Sequence, residues 1–321
     1  MIVTVTLNAA IDRTLTVPNF QLGQRHRASA GLTLAGGKGI NVARALKRLG
    51  VPVVATGLAG GRTGTRIIEE LTGEAILNDF VRIADESRTS TAVVDPTGGS
   101  YTEINEWGPH VEPEELDMLL EKLRYLSSGA EFVVLAGSLP RGVDAGFYAE
   151  LIRELSRRQV PTVLDSEAEP LRLGLEAEPF LVSPNQREAE ALVGNEFQTD
   201  EDFQHALSAI EAMGAHGVVI TLKTGCYALL AAGKTKARMF RAWIPRIEAV
   251  STVGSGDAFL AGFLSAHQAG QAADQCLKMG LACGAANTQT VGAGVFESRE
   301  VPRFAAMVEV QEIAPTAARA S

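Results

Sequence analysis

The sequence has no CxxC pair, no HxxxH spacing, no excess of positive charge and no apolar run long enough to cross a bilayer. Three cysteines, Cys226, Cys276 and Cys283, cannot form a complete disulfide framework, so buried free thiols are the expected state. The histidines, His26, His110, His205, His216 and His267, lack the spacing of a structural zinc site. A net charge of -9 argues against nucleic acid as a partner, because phosphate backbones are held by a surplus of Lys and Arg. The longest apolar stretches, such as Phe132 to Ala136 and Ala228 to Ala232, are too short to span a membrane, and no basic start precedes an apolar block. The expected location is the cytoplasm. GxGxxG is also missing, and the one Gly-Gly-Lys-Gly turn is not followed by Ser or Thr. Those two absences exclude dinucleotide-binding dehydrogenases and ordinary P-loop ATPases.

What remains is a chain of 321 residues, 46% hydrophobic and 21% charged, enough for one large core or a core with a small appendage. Ile2 to Leu7 alternates apolar and polar residues and predicts a strand. From Asn41, the positions Val42, Leu46 and Leu49 share a helical face that Gly50 would close. Val53 to Leu58 then reads as a strand, Thr65 to Leu71 as a helix ending at Gly73, and Leu116, Leu119, Leu120 and Leu123 as a helix after Pro113. The alternation continues with strands at Phe132 to Ala136, Thr162 to Asp165, Phe180 to Val182 and Val218 to Leu222, and helices at Phe147 to Leu155 and Phe203 to Met213. Such an order implies an α/β fold with a mainly parallel sheet covered by helices on both faces. Thr14 to Leu34 and Arg88 to Gly108 lack helical periodicity and predict short antiparallel strands, a small second sheet standing as a lid. The expected division is a core of residues 1–13, 35–87 and 109–313, a lid of 14–34 and 88–108, and a disordered tail of 314–321.

Two segments carry chemistry. Gly254-Ser255-Gly256-Asp257 precedes Phe259, Phe263 and Ala266 at helical spacing, so its glycines open a helix whose free N–H groups favour an anion. Asp257 beside such a cradle is suited to take a proton from an incoming hydroxyl, although a helix merely capped in its first turn reads the same way. The second, Gly36-Gly37-Lys38-Gly39-Ile40-Asn41, is either a phosphate-facing turn into a helix or only a tight turn.

Together, in this order, the two segments resemble the paired signatures of the ribokinase-like, or PfkB, carbohydrate kinases. Thr6-Leu-Asn-Ala-Ala-Ile-Asp12, Arg88-Thr-Ser-Thr, Thr102-Glu-Ile-Asn105, Ala136-Gly-Ser-Leu-Pro140, Ser183-Pro-Asn-Gln-Arg-Glu188 and Thr221-Leu-Lys-Thr-Gly225 resemble the branch acting on hexose phosphates. The resemblance covers residues 1 to 312. It implies a ribokinase-like fold and ATP-dependent phosphorylation of a ketohexose phosphate to the bisphosphate, with fructose 1-phosphate as the first expectation. Tagatose 6-phosphate and fructose 6-phosphate are the alternatives within the family. A kinase of an unphosphorylated sugar or nucleoside would leave Arg88 and Lys38 without an anionic partner, and a sugar-phosphate sensor would have no need of Asp257.

The same resemblance assigns roles residue by residue. Asp257 is the base, and Gly254, Ser255 and Gly256 are the anion hole. Asn185 and Glu188 match the NxxE motif that holds Mg²⁺ on the nucleotide phosphates through water. Asp12, Gly36, Gly37 and Asn41 take sugar hydroxyls, while Arg88, Lys38, Arg27 and Ser138 take the phosphate already on the sugar. Thr221, Gly225 and Asn287, with Gly254 and Gly256, lie where the family binds ATP. The chain departs from the pattern at Ala9, where Pro is usual, at Ser251, where Asp or Asn is common, and at Ser183, where Lys is common. Exposed edges of the small sheet lead to the expectation of a homodimer paired through the lid.

Overall fold

The structure, a computed structural model, describes residues 1–231 and 237–314. Of the expected disordered tail, 314–321, residues 315–321 lie outside the described residues. In chain order the first half comprises β1 (Ile2–Thr6), β2 (Ala10–Thr16), β3 (Ala30–Gly36), α1 (Lys38–Arg48), β4 (Val53–Gly60), α2 (Gly61–Gly73), β5 (Leu77–Asn78), β6 (Val81–Ile83), β7 (Arg88–Asp95), β8 (Ser100–Asn105) and α3 (Pro113–Leu126). The second half runs β9 (Phe132–Ala136), α4 (Phe147–Arg157), β10 (Thr162–Asp165), α5 (Ala168–Leu175), β11 (Leu181–Val182), α6 (Gln186–Val193), α7 (Asp200–Ala212), β12 (Val218–Leu222), β13 (Gly225–Leu230), β14 (Arg238–Trp243), α8 (Ser255–Gln268), α9 (Ala273–Asn287), α10 (Val301–Ala305) and β15 (Glu309–Ile313).

The large sheet has the order β15-β14-β13-β12-β11-β10-β9-β1-β4-β5, with β6 alongside β4. From β12 to β4 every pair is parallel, as the alternating pattern requires. Beyond β12 the sheet continues as antiparallel hairpins through β13, β14 and β15. One face packs against Ile40, Leu46, Leu260 and Leu264, the other against Leu119, Ile152, Leu207 and Ile210, so apolar residues alternating along each strand are buried on both sides.

The second sheet has the order β3-β2-β7-β8. Its strands reach further than expected: β2 begins at Ala10 and β3 ends at Gly36. A period of two does not change where one sheet gives way to another, which is why the sequence did not mark that point. The expectation of antiparallel pairing needs correcting for β2 and β7, which run parallel with Ala10 opposite Arg88. Their origin explains this. β2 leaves from the end of β1 and β7 from the end of β6, and β1 and β6 each lie parallel to β4, so both depart the core in one direction.

Candidate active site

Several of the residues singled out from sequence lie outside the carboxyl ends of β1, β9, β10 and β11, where α/β sheets hold their ligands. Gly254 caps α8 with φ +77°, and a Cβ there would meet Ala293 Cα at 2.5 Å, so only glycine gives the helix this start. A Cβ on Gly256 would meet nothing within 4 Å, so the helix opening faces free space. Ser255 Oγ is buried without a hydrogen-bond partner among the described residues, a group that a phosphate oxygen would satisfy.

Asp257 is 6% exposed, in the first turn of α8. Its Oδ2 accepts from Asn41 Nδ2 at 2.9 Å. Burial pushes its carboxyl up to about 7, Asp165 adds to the rise, and Lys38 and Asn41 oppose it. Asn41 comes from α1, which Gly37 caps. Asp12 on β2 lies against Gly36, where a Cβ would stand 1.9 Å from Asp12 Oδ2, so the close approach of carboxylate to backbone requires glycine. Burial pushes Asp12 up to about 6, with Arg88 pulling it down and Glu103 pushing it up. Arg88 Nε donates to Asn8 O at 3.4 Å, and no carboxylate of the described residues lies within ion-pair distance of it. Asn8 Nδ2 donates to Ser138 Oγ at 3.1 Å, so Ser138 and Arg88 stand on either side of Asn8.

Lys38 Nζ bonds Asp165 Oδ1 at 2.9 Å and lies 3.8 Å from Glu188 Oε1. Burial alone would lower its ammonium, but the two carboxylates outweigh it and hold the group above its ordinary value. Glu188 closes a capping box on α6. Its Oε2 accepts from Asn185 N at 2.9 Å, and Asn185 Oδ1 accepts from Glu188 N at 3.1 Å. Both readings of Glu188 therefore have a place, since the cap uses Oε2 and leaves Oε1 facing Lys38. Burial raises the Glu188 carboxyl while Lys38 lowers it. Asn185 has its oxygen occupied by the cap, so this donor set fits a hydrated Mg²⁺ held through water better than one bound directly.

Some expected residues lie elsewhere. Lys38 makes its ion pairs among Asp165 and Glu188, with none to the lid, so it stands apart from Arg88. Arg27 is exposed in the 17–29 connection between β2 and β3, and no hydrogen bond joins it to the site. Thr221 N donates to Pro184 O at 3.0 Å and so adjoins Asn185. Gly225 is buried in the hairpin, where a Cβ would meet Ala242 O at 2.4 Å. Asn287 is 0% exposed and donates to Val253 O at 2.8 Å, which makes it a support for the 251–254 segment before α8. Asp165 went unremarked in the sequence, although its place at the carboxyl end of a parallel strand is a readable signal.

A carboxylate at the mouth of a glycine-opened helix, facing a second carboxylate beneath a small sheet, defines a phosphotransferase that acts on a hydroxyl. The comparisons with known proteins are consistent with that class. The sequence profile of the pfkB family carbohydrate kinases matches residues 3–299. A 1-phosphofructokinase of Borreliella burgdorferi is 32% identical over 313 residues, covering 98% of this chain and 99% of that protein. Phosphofructokinase-2 from Escherichia coli in complex with substrates and products superposes with a TM-score of 0.88 at 28% identity, over 95% of this chain and 98% of that one. A possible 1-phosphofructokinase from Thermotoga maritima does so at 0.87 and 28%, over 98% and 100%. The chain belongs to the pfkB family of carbohydrate kinases.

Proposed function

We propose that the protein transfers the γ-phosphoryl group of ATP to the 6-hydroxyl of fructose 1-phosphate, giving fructose 1,6-bisphosphate and ADP. One observation carries this reading: Arg88, with no carboxylate of the described residues at ion-pair distance, lies against Asn8, which bonds Ser138, and acts on Asp12, while Asp257 lies in the first turn of α8 and bonds Asn41. The Arg88 side suits a phosphate that does not react, and the Asp257 side suits the hydroxyl that does. The name of the Borreliella burgdorferi relative supports fructose 1-phosphate as the acceptor. Asp12 and Asn41 take the sugar hydroxyls between the two ends. Asp257 receives the proton of the attacking hydroxyl as the phosphoryl group passes to it, with the α8 N–H groups facing the developing charge. Lys38, ringed by Asp165 and Glu188, serves the nucleotide phosphates rather than the sugar phosphate. Asn185 and Glu188 would hold Mg²⁺ through water, and that ion, when bound, would neutralise charge on those phosphates. ADP release measured with fructose 1-phosphate, fructose 6-phosphate, tagatose 6-phosphate and free fructose tests the reading. The largest kcat/KM is expected for fructose 1-phosphate, and a preference for free fructose would overturn it.

Because Asp257 titrates near 7 and must be ionised to accept a proton, kcat/KM should fall about tenfold per unit as pH drops below that value. An acid limb confined to the substrate's own phosphate ionisation would contradict this.

We also propose a homodimer paired through the lid. All six residues of β8 are exposed, Ile104 on it is 62% exposed, and Leu22 in the 17–29 connection and Trp107 just after β8 are 89% and 87% exposed. Pairing with a second copy would cover both this apolar surface and the strand edges. Light scattering at micromolar concentration should return twice the chain mass of 34.0 kDa, and a fully active monomer would remove the proposal.

A further inference from the structure

Arg44 is 2% exposed in the middle of α1, and all five of its N–H donors are used. Nε and Nη2 hold Glu74 at 2.6 and 2.8 Å. Nη2 also reaches Ala35 O at 2.7 Å, and Nη1 reaches Ala293 O at 3.1 Å and Asn41 Oδ1 at 3.3 Å. Four partners therefore meet on one guanidinium: Glu74 at the end of α2, the end of the lid strand β3, the loop that packs Ala293 against Gly254, and the amide that bonds Asp257.

A guanidinium has donors only, so the amide of Asn41 can face it only with its oxygen. The nitrogen is then forced to the other side, toward Asp257. We propose that Arg44 is a positioning residue for the base, fixing the Asn41 amide so that Nδ2 donates to the Asp257 carboxylate. The inference rests on Asp257 being the base. If the amide turned over, its oxygen would face the carboxylate, and only a protonated Asp257 could bond it. The other charged groups that bear on Asp257 are Asp165 at the end of β10, Lys38 at the start of α1 and Asp12 on β2, none of which touches the Asn41 amide. Loss of Arg44 leaves all three in place, but its charge also lowers Asp12, so Arg44→Lys, which keeps that charge, isolates the hydrogen bond. With that one hydrogen bond to the ionised form lost, the acid limb of kcat/KM should move to higher pH by about one unit.

Removing Arg44 alone would strand Glu74, so the first variant is Arg44→Met with Glu74→Met, which removes both charges at similar volume. The second, Arg44→Lys, keeps a cation opposite Glu74 but lacks the fork that reaches Asn41 at the same time. Folding is checked by circular dichroism, and kcat/KM is measured from pH 5.5 to 9 beside the unaltered enzyme. The substrate phosphate titrates equally in both proteins, so a difference between them belongs to the enzyme. The expected result is an alkaline shift of about one unit with the rate recovered at high pH, larger in the double variant. An unmoved limb in either folded variant, whatever the loss of rate, overturns the inference. Retained turnover in Asp257→Asn would instead remove the base itself, and the positioning role with it.

Discussion

Asp257→Asn should lower kcat by about 10²–10⁴ while the protein stays folded and its affinities for nucleotide and sugar phosphate change little. The substitution keeps size and shape, and the amide can still pair with Asn41, so the structural loss is small. What it removes is the acceptor for the hydroxyl proton. A carboxylate placed in the first turn of α8 only for structure would give the opposite result, because Asn of the same shape would leave turnover nearly intact. Stability supplies a second and independent sign. Burial raises the folded pKa of Asp257 to about 7, above an unfolded value of about 3.9. Its contribution to stability is therefore fully present below about pH 4 and is lost as pH rises through about 7. A neutral amide escapes that loss, so the variant should melt higher than the unaltered protein at pH 8, with the gap closing toward pH 5. Thermal melts at those two values check it, and a variant melting lower at pH 8 than at pH 5 relative to the parent would contradict the buried, ionisable base.

Arg88→Ala should raise KM for the sugar phosphate by about 10- to 100-fold and leave kcat within a few-fold, the effect of losing one charge-assisted contact of about 1.5–3 kcal/mol. The phosphate that Arg88 is assigned to does not react, so its binding is uniform between ground and transition states and appears in KM. The residue is free to make that contact, since its one hydrogen bond, to Asn8 O, is long at 3.4 Å and no carboxylate of the described residues pairs with it. Its electrostatic neighbour Asp12 would also titrate higher without it, so the KM effect should be greatest above about pH 6. Steady-state kinetics at saturating ATP decides the matter. A collapse of kcat with KM unchanged would move Arg88 to the reacting end of the crevice.

The alternating core was legible because each parallel strand is a short apolar run followed by a helix with its own period, and nothing in those segments competes with either pattern. The lid strands were visible as Thr- and Val-rich stretches without helical spacing, but not the pairing of β2 with β7, which follows from where two distant strands leave the core. The helix opening at Gly254 was readable from its glycines, but the role of Asp257 came only with the resemblance, since a first-turn carboxylate alone reads equally as helix-start chemistry. Asp165 was readable as the end of a parallel strand but not as a partner of Lys38, since a carboxylate followed by Ser166, Glu167, Ala168 and Glu169 looks like solvated helix-start chemistry. Only the neighbouring strands bring it to Lys38. Arg44 had a signal that went unused: a cation between Val42, Ala43, Ala45 and Leu46 is costly unless it is paired. Asn287 ends a small-residue helix, and packing of α9 against α8 buries it beneath the Val253 carbonyl, a placement that the sequence does not show.

The most direct test follows the phosphorus itself. The purified protein is mixed with ATP, Mg²⁺ and fructose 1-phosphate, and the reaction is followed by phosphorus NMR. The expected outcome is loss of the γ-phosphate signal of ATP, with ADP appearing in step with a new phosphomonoester resonance on the 6-position of a sugar that keeps its 1-phosphate. Fructose 1-phosphate left unchanged, while fructose 6-phosphate or free fructose is consumed under the same conditions, would contradict the account.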